Sequence, residues 1–146
     1  MKCALEILAM RELAEQNYAA EQARLDEECR IQHMGIIEDT FSYCENVIGP
    51  TFEKQALRRE TPMYRLKGVI EKDRIGNKIF YPLTVESKKY ANGENSYSPN
   101  HRSPLDVVSL HNYLKNYCFT VEFEESTYKQ FGRGECNGYT MWVTIK

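Results

Sequence analysis

Histidine and cysteine are the side chains in this sequence best suited to acid–base, nucleophilic or metal chemistry. The three histidines, His33, His101 and His111, are far apart. None has a His, Cys or acidic residue three or four positions after it, where a second zinc ligand on one helix face would lie. The five cysteines are scattered, odd in number and include no Cys-x-x-Cys pair. The sequence therefore predicts no metal site, no cofactor and no disulfide framework.

Catalysis would need a cysteine nucleophile that lies beside a histidine in the folded protein. The candidate pairs are Cys118 or Cys136 with His101, and only their presence in the same chain supports them. Isolated histidines are more often surface or helix-capping residues than catalytic ones. We therefore predict a protein that is not an enzyme, with a small cysteine- or histidine-dependent enzyme as an alternative.

A phosphate-binding loop would be another kind of functional site. The sequence has no G-x-x-x-x-G-K-[ST] or G-x-G-x-x-G motif after a strand. The nearest match is Gly132-Arg133-Gly134, whose guanidinium could meet a phosphate or a carboxylate. A turn that uses glycine for positive φ is the simpler interpretation.

Basic residues and tyrosines together suggest a nucleotide- or RNA-binding module that uses the loops 88–102 and 129–133. The residues that would bind phosphate or bases are Arg65, Lys67, Lys88, Lys89, Arg102, Lys129 and Arg133. Base stacking on aromatic side chains is common in such modules. However, the alternation places Glu122 and Glu124 on the same outer sheet face, and the net charge is −2. Nucleic-acid binding is therefore the second choice.

Binding to another protein accounts for more features of the sequence than nucleic-acid binding does. Tyrosine, tryptophan and arginine are the residues that most often dominate protein contacts. Several lie in polar segments or on the outer side of a strand, where the pattern gives them no place in the core. The predicted partner-binding residues are Tyr18, Leu25, Tyr90, Tyr97, Tyr128, Arg133 and Trp142. Trp142 could instead be covered by the N-terminal helices.

These side chains must be positioned by an N-terminal helix and a sheet. Residues 3–33 contain no Gly or Pro and are rich in helix-forming residues. Gly35 permits a bend or break, a second apolar helix covers 36–48, and Gly49-Pro50 should end it. We divide the chain into a helical region, 1–48, and an α+β sheet domain, 49–146, that share one core.

The pattern of the second part of the chain predicts the element order ββαββ, with the strands in a four-stranded antiparallel sheet. The predicted fold class is therefore α+β. Alternating apolar residues predict a hairpin from Tyr64 to Val85, in which Pro82 indicates an edge strand or a bulge. Residues 87–102 should form a long surface loop. Ser103 should cap a helix from Pro104 to about Asn116, with Val107, Leu110 and Leu114 in the core. Strands around 117–123 and 139–145 complete the sheet.

The first helix has too few apolar residues to pack along its whole length. A thin stripe recurs at steps of seven and four and consists of Ile7, Ala14, Tyr18, Leu25, Cys29 and Ile36. Residues 3–33 could therefore bridge solvent with only their ends packed, or dock against a partner or a second copy. A homodimer through this helix is one prediction.

The broader function expected is a small cytosolic protein that binds another protein or a ribonucleoprotein. No stretch of the sequence is apolar enough for a membrane span or a signal peptide, so we expect a cytoplasmic location. Small chains without catalytic motifs are frequent among phage and mobile-element accessory proteins. We therefore predict an anti-CRISPR-like inhibitor, which would occupy the surface of a host defence nuclease.

Overall fold

A continuous helical segment runs from Ala4 to Leu57 in the computed structural model, which describes residues 1–89 and 93–145. It consists of α1 (Ala4–Tyr43), a π-helical turn (Cys44–Ile48) and α2 (Gly49–Leu57). The predicted bend or break near Gly35 is wrong, because α1 passes through this residue without interruption. One glycine lowers helix preference by only about 1 kcal/mol, and contacts of α1 with the sheet domain hold the helix on both sides of it.

The predicted end of the helix at Gly49-Pro50 is also wrong, and the π-helical turn explains why. Pro50 has no N–H and cannot donate to the carbonyl four residues before it. The wider turn shifts the register, so that the N–H of Gly49 donates to the carbonyl of Cys44. Pro50 then lies in the first turn of α2, where no intrahelical donor is required.

The strands form one antiparallel sheet with six members, so the α+β class is confirmed, whereas four strands were predicted. The strand order is β3-β2-β1-β6-β5, and the short β4 pairs with β2. The strands are β1 (Met63–Lys72), β2 (Lys78–Lys89), β3 (Asn95–Pro99), β4 (Leu105–Asp106), β5 (Phe119–Gln130) and β6 (Gly134–Ile145).

The strand β3 lies inside the segment 87–102, which was predicted to be a loop. It pairs with β2 in the register Leu83↔Pro99 and Val85↔Tyr97. The prediction failed because Ser, Asn and Pro are typical of turns and hide the weak alternation of this short strand. β2 is therefore not an edge strand. The carbonyl of Pro82 accepts a hydrogen bond from the N–H of Asn100 at 2.7 Å. The N–H and the C=O of one strand residue point to the same side. The N–H that Pro82 lacks would therefore face the point where β3 ends, so β2 accommodates the proline there.

The helix after β4 is α3 (Val107–Asn116), and it begins later than predicted. Leu105 and Asp106 pair with β2 as a strand, which prevents Pro104 from starting the helix. Asp106 is the N-cap, and its side chain accepts from the N–H of Ser109 at 3.0 Å. Val107, Leu110 and Leu114 are buried, as predicted.

The core lies between one face of the sheet and the helical elements that cover it. Cys44 and Ile48 from the π-helical turn pack in one cluster with α3 and the inner side chains of the strands. The rings of Phe52 on α2 and Phe119 on β5 stack with centroids 4.5 Å apart. Within the described part of the chain, no helix combines the length and the apolarity needed to cross a bilayer.

Replacing Gly35 by alanine tests the continuity of α1. A Cβ at this position would meet nothing within 4 Å, so Gly35→Ala should raise the free energy of unfolding by about 0.5–1 kcal/mol. In contrast, a Cβ at Gly68 would overlap the carbonyl oxygen of Tyr81 and lie 2.5 Å from Cζ of Phe80. Gly68→Ala should therefore lower the free energy of unfolding by about 1–3 kcal/mol. Urea denaturation at one protein concentration measures both, and a loss of stability in Gly35→Ala would indicate a bend at that residue.

Candidate functional site

The sheet carries an aromatic residue on the side opposite the core. On β6, Met141 and Val143 are fully buried, so the intervening Trp142 points to the other side and is only half-buried. The register places Trp142 between Arg65 of β1 and Glu122 of β5. A period of two in three neighbouring strands therefore brings these side chains together.

The indole of Trp142 is held from both sides. The guanidinium Cζ of Arg65 lies 5.3 Å from the centre of the ring, a cation–π distance. The indole Nε1–H donates to Oε2 of Glu124 at 3.0 Å. Because both partners come from neighbouring strands, the ring orientation is fixed before anything binds. We call the surface formed by Arg65, Lys67, Glu122, Glu124 and Trp142 the Trp142 face.

Two of the predicted tyrosines meet at another place, in a cleft between β3 and the β5–β6 hairpin. The cleft has a volume of about 440 Å³ and is lined by residues that include Tyr97, Tyr128, Lys129 and Glu135. Lys129 forms an ion pair with Glu94 across it. Burial raises the pKa of Tyr128, and nearby Arg133 has a smaller opposing effect. The structure thus brings Tyr97, Tyr128, Lys129 and Arg133 into one region.

The first part of α1 lies outside the sheet domain. Every residue from 4 to 21 is exposed, including Tyr18 at 68%. Contacts begin at Gln22, which hydrogen-bonds to Arg74, and continue with Asp26, whose Oδ1 lies 2.7 Å from Nε of Arg74. Leu25 is half-buried. Residues 22–33 therefore lie along the sheet domain, and only the residues before them project. We call residues 4–21 the arm.

A buried cluster contains a serine, an aspartate and a histidine, the residue types of a hydrolase triad. The Oδ1 of Asp106 lies 2.8 Å from Nε2 of His33, and its Oδ2 accepts from Oγ of Ser109 at 2.7 Å. In a triad the histidine lies between the serine and the acid and takes the serine proton. Here the acid lies in the middle, so the cluster has the geometry of a helix cap with an added hydrogen bond to His33.

The cysteine and histidine pairs considered for catalysis have other neighbours. The ring of His101 packs against Tyr81 with centroids 4.7 Å apart, and its Nε2 is 4.0 Å from Oε2 of Glu71. The Sγ of Cys136 is 3.9 Å from Oε1 of Gln130, and Cys118 is exposed with a φ of 64°. Among the described residues, no group of three His, Cys, Asp or Glu side chains could hold a metal ion.

The basic residues proposed for nucleic-acid binding are divided between different places. Arg65 and Lys67 lie on the Trp142 face beside two glutamates, whereas Lys129 and Arg133 lie at the far end of the β5–β6 hairpin. Arg102 is exposed in the turn before β4. Tyr90 and the side chains of Lys88 and Lys89 lie outside the described part of the chain.

The sequence could not reveal the contact between His33 and Asp106, because the two residues are 73 positions apart. The signal for the cap itself was present, since an acid three positions before Ser109 at the start of an apolar run is a typical N-cap.

Comparison with known proteins does not identify the chain. No family model matches it, and neither a curated protein nor a solved structure matches it.

Removing the carboxylate of Asp106 tests the structural role of this cluster. Asp106→Ala leaves His33 without its buried partner and α3 without its cap, so the free energy of unfolding should fall by about 2–4 kcal/mol. Ser109→Ala removes one hydrogen bond and should cost about 1 kcal/mol. The control is Glu15→Ala, which breaks the exposed pair with Arg11 and should cost less than about 0.5 kcal/mol. Equal losses for Asp106→Ala and Glu15→Ala in urea denaturation would contradict this role.

The buried thiol of Cys44 gives a chemical test of how the π-helical turn packs in the core. Burial, with a smaller effect of Glu45, raises its pKa from 9.0 to about 11. At pH 8 the thiolate fraction should be about a hundredfold lower than in the unfolded chain, so an aromatic disulfide reagent should label Cys3 and Cys118 quickly and Cys44 slowly. Because the unfolded thiol ionises first, the free energy of unfolding should also fall as the pH rises from 9.0 to about 11. Rapid labelling of Cys44 in the native protein, followed by mass spectrometry, would contradict the burial.

Proposed function

We propose that the protein is a non-catalytic binding module that uses the Trp142 face to contact another protein. The observation that carries the proposal is the indole of Trp142, half-exposed and held between Arg65 and Glu124. A rigid aromatic residue loses little conformational entropy on binding, and tryptophan and arginine are the residue types most enriched among contacts that dominate affinity. The module would act by occupying part of its partner's surface.

The charges of the Trp142 face favour a protein partner over a nucleic acid. Glu122 and Glu124 lie on β5 beside the positions that carry Arg65 and Lys67 on β1, with β6 between them. A phosphate backbone that approached the two cations would also meet the two carboxylates, and nucleic-acid binding depends mainly on phosphate neutralisation. A protein surface can instead offer both signs of charge.

The other predicted contact residues provide further surfaces for the same function. Tyr18 lies on the exposed arm, while Tyr97 and Tyr128 line the cleft between β3 and β5. We propose a cytoplasmic location, supported by the five free cysteines, since reduced thiols are usual in that compartment. A ribonucleoprotein or a host defence nuclease as the partner, and a phage origin, stay predictions from the sequence.

Photocrosslinking tests the proposal and identifies the partner in the same experiment. A photoreactive amino acid at Lys67, which is exposed beside the indole, should crosslink the module to a protein in the cells that produce it. The identified protein is then purified, and its affinity is measured directly. Trp142→Ala should weaken that affinity by at least about 30-fold, and Glu124→Lys should also weaken it. Circular dichroism confirms that both variants fold.

The matched control is Tyr117→Ala, which removes an aromatic residue that is 61% exposed and lies outside the Trp142 face. Its affinity should stay within about twofold of the original. Crosslinks to RNA or DNA at Lys67, no crosslinked protein, or an affinity that Trp142→Ala leaves unchanged would each contradict the proposal.

A further inference from the structure

The strand β5 forms one edge of the sheet, and its first half borders an open groove. Among the described strands, β5 pairs only with β6. Its second half lies against β3 in the cleft that Tyr128 and Lys129 line. Its first half has α3 beside it instead. The groove between the strand and the helix has a volume of about 330 Å³ and is lined by His111, Asn112, Lys115, Phe119, Thr120 and Val121.

The turn that joins β5 to β6 shows which backbone groups of β5 face this groove. The N–H of Arg133 donates to the carbonyl of Gln130 at 3.0 Å, so the backbone groups of Gln130 point towards β6. The register between the two strands is continuous from Gln130 back to Phe119. The backbone groups of successive strand residues point to opposite sides. Val121 and Phe123 precede Gln130 by an odd number of positions, so their N–H and C=O groups point away from β6.

These outward backbone groups have no hydrogen-bond partner in the part of the chain that the structure describes. No backbone bond joins Val121 or Phe123 to a third element. The side chain of Val121 is buried in the core, so its free peptide groups lie beside apolar atoms. Unpaired peptide groups in such surroundings cost free energy that a hydrogen bond regains. A row of them along a strand edge is a template for another strand.

The wall that α3 contributes to the groove suits apolar side chains. The ring of His111 lies with its centre 5.9 Å from that of Phe123. Burial lowers the pKa of His111 from 6.5, so its imidazole is neutral at pH 7. Lys115 is the cation of the lining, one helical turn further along α3. Side chains of an added strand that turned towards α3 would therefore meet mainly uncharged rings and the side chain of Val121.

The opposite side of the same edge is acidic. Glu122 and Glu124 are exposed, and they lie on the side of the sheet that carries Trp142. Opposite charges on neighbouring strands stabilise the pair, whereas like charges destabilise it. A second copy that paired its own β5 at this edge would bring the glutamates of both chains close together on one face. A strand with basic residues at alternate positions would instead place a cation beside each carboxylate.

We propose that the edge of β5 from Phe119 to Phe123 binds an extended segment of another protein as an added antiparallel strand. The segment alternates apolar residues, which face α3, with lysine or arginine residues, which face Glu122 and Glu124. Main-chain hydrogen bonds supply the affinity in this mode of binding, and the alternating side chains supply the specificity. Antiparallel pairing is expected because it is slightly more stable per residue than parallel pairing.

This inference is independent of the proposed function. Glu122 and Glu124 belong to the Trp142 face, but the indole itself lies on β6, and the groove borders the other edge of β5. Failure of strand addition would therefore leave the contact made by the indole standing. Likewise, an indole that binds nothing would leave the open edge of β5 available.

Residue-resolved hydrogen exchange, followed by NMR, tests whether the edge is open. In the free chain the amides of Val121 and Phe123 should exchange at least about tenfold faster than those of Glu122 and Glu124, because only the latter donate to β6. Equal protection of all four amides would overturn the proposal, since the edge would then already be covered.

A capped hexapeptide of alternating lysine and valine is the probe for the added strand. It should bind with a dissociation constant below roughly 1 mM and protect the amides of Val121 and Phe123. In an antiparallel added strand the valines that face α3 also turn their N–H groups towards β5. N-methylation of the valines should therefore abolish binding, whereas N-methylation of the lysines should change the affinity less than about threefold. The same peptide with glutamate in place of lysine should bind at least about tenfold more weakly.

Charge reversal on β5 tests which side chains the edge selects. Glu122→Lys should weaken binding of the lysine peptide at least about tenfold and strengthen binding of the glutamate peptide. The matched control is Glu12→Lys, which makes the same change of charge on the exposed arm and should leave both affinities within about twofold. Circular dichroism verifies that both variants fold. No binding of the lysine peptide below roughly 1 mM, or equal effects of the two N-methylations, would overturn the proposal.

Discussion

The carboxylate of Asp106 connects the long helix to the sheet, and the direction of α1 depends on this contact. It binds His33 on α1 and the first turn of α3, while the backbone N–H of Asp106 donates to Thr40 at 2.9 Å. A buried carboxylate is stable only when several groups satisfy it. The three contacts therefore fix α1, α3 and β4 relative to one another, and the arm must leave the sheet domain in one direction.

Once α1 is fixed, the protein presents two separate surfaces to solution. The sheet turns the Trp142 face outward, because the period of two that buries Met141 and Val143 leaves Trp142 on the opposite side. The helix turns the exposed side chains of Leu13 and Ile31 away from the same domain, because positions nine apart lie on opposite sides of a helix. Both surfaces follow from regular periodicities, and neither requires a pocket or a catalytic group.

Most of the secondary structure could be predicted from the sequence, because alternation and helix propensity are local signals. The predictions failed where a distant contact decides the outcome. Gly35 stays helical because packing on both sides exceeds its small propensity cost, and β3 forms because β2 offers it an edge. Alternation placed all five residues of the Trp142 face on the outer side of the sheet, but it could not show that Arg65 and Glu124 hold the indole. The contact of His33 with Asp106 could not be predicted, since nothing in the sequence links residues 73 positions apart.

Hydrogen exchange in the original chain and in Asp106→Ala tests most directly whether the carboxylate of Asp106 fixes α1 to the sheet domain. Every residue of the arm is exposed, so its amides should exchange fast in both proteins. We predict that the amides of α1 around His33 and Thr40 are protected in the original chain and exchange faster in Asp106→Ala, while the amides of β5 and β6 change less. Equal protection around His33 and Thr40 in the two proteins would contradict the account.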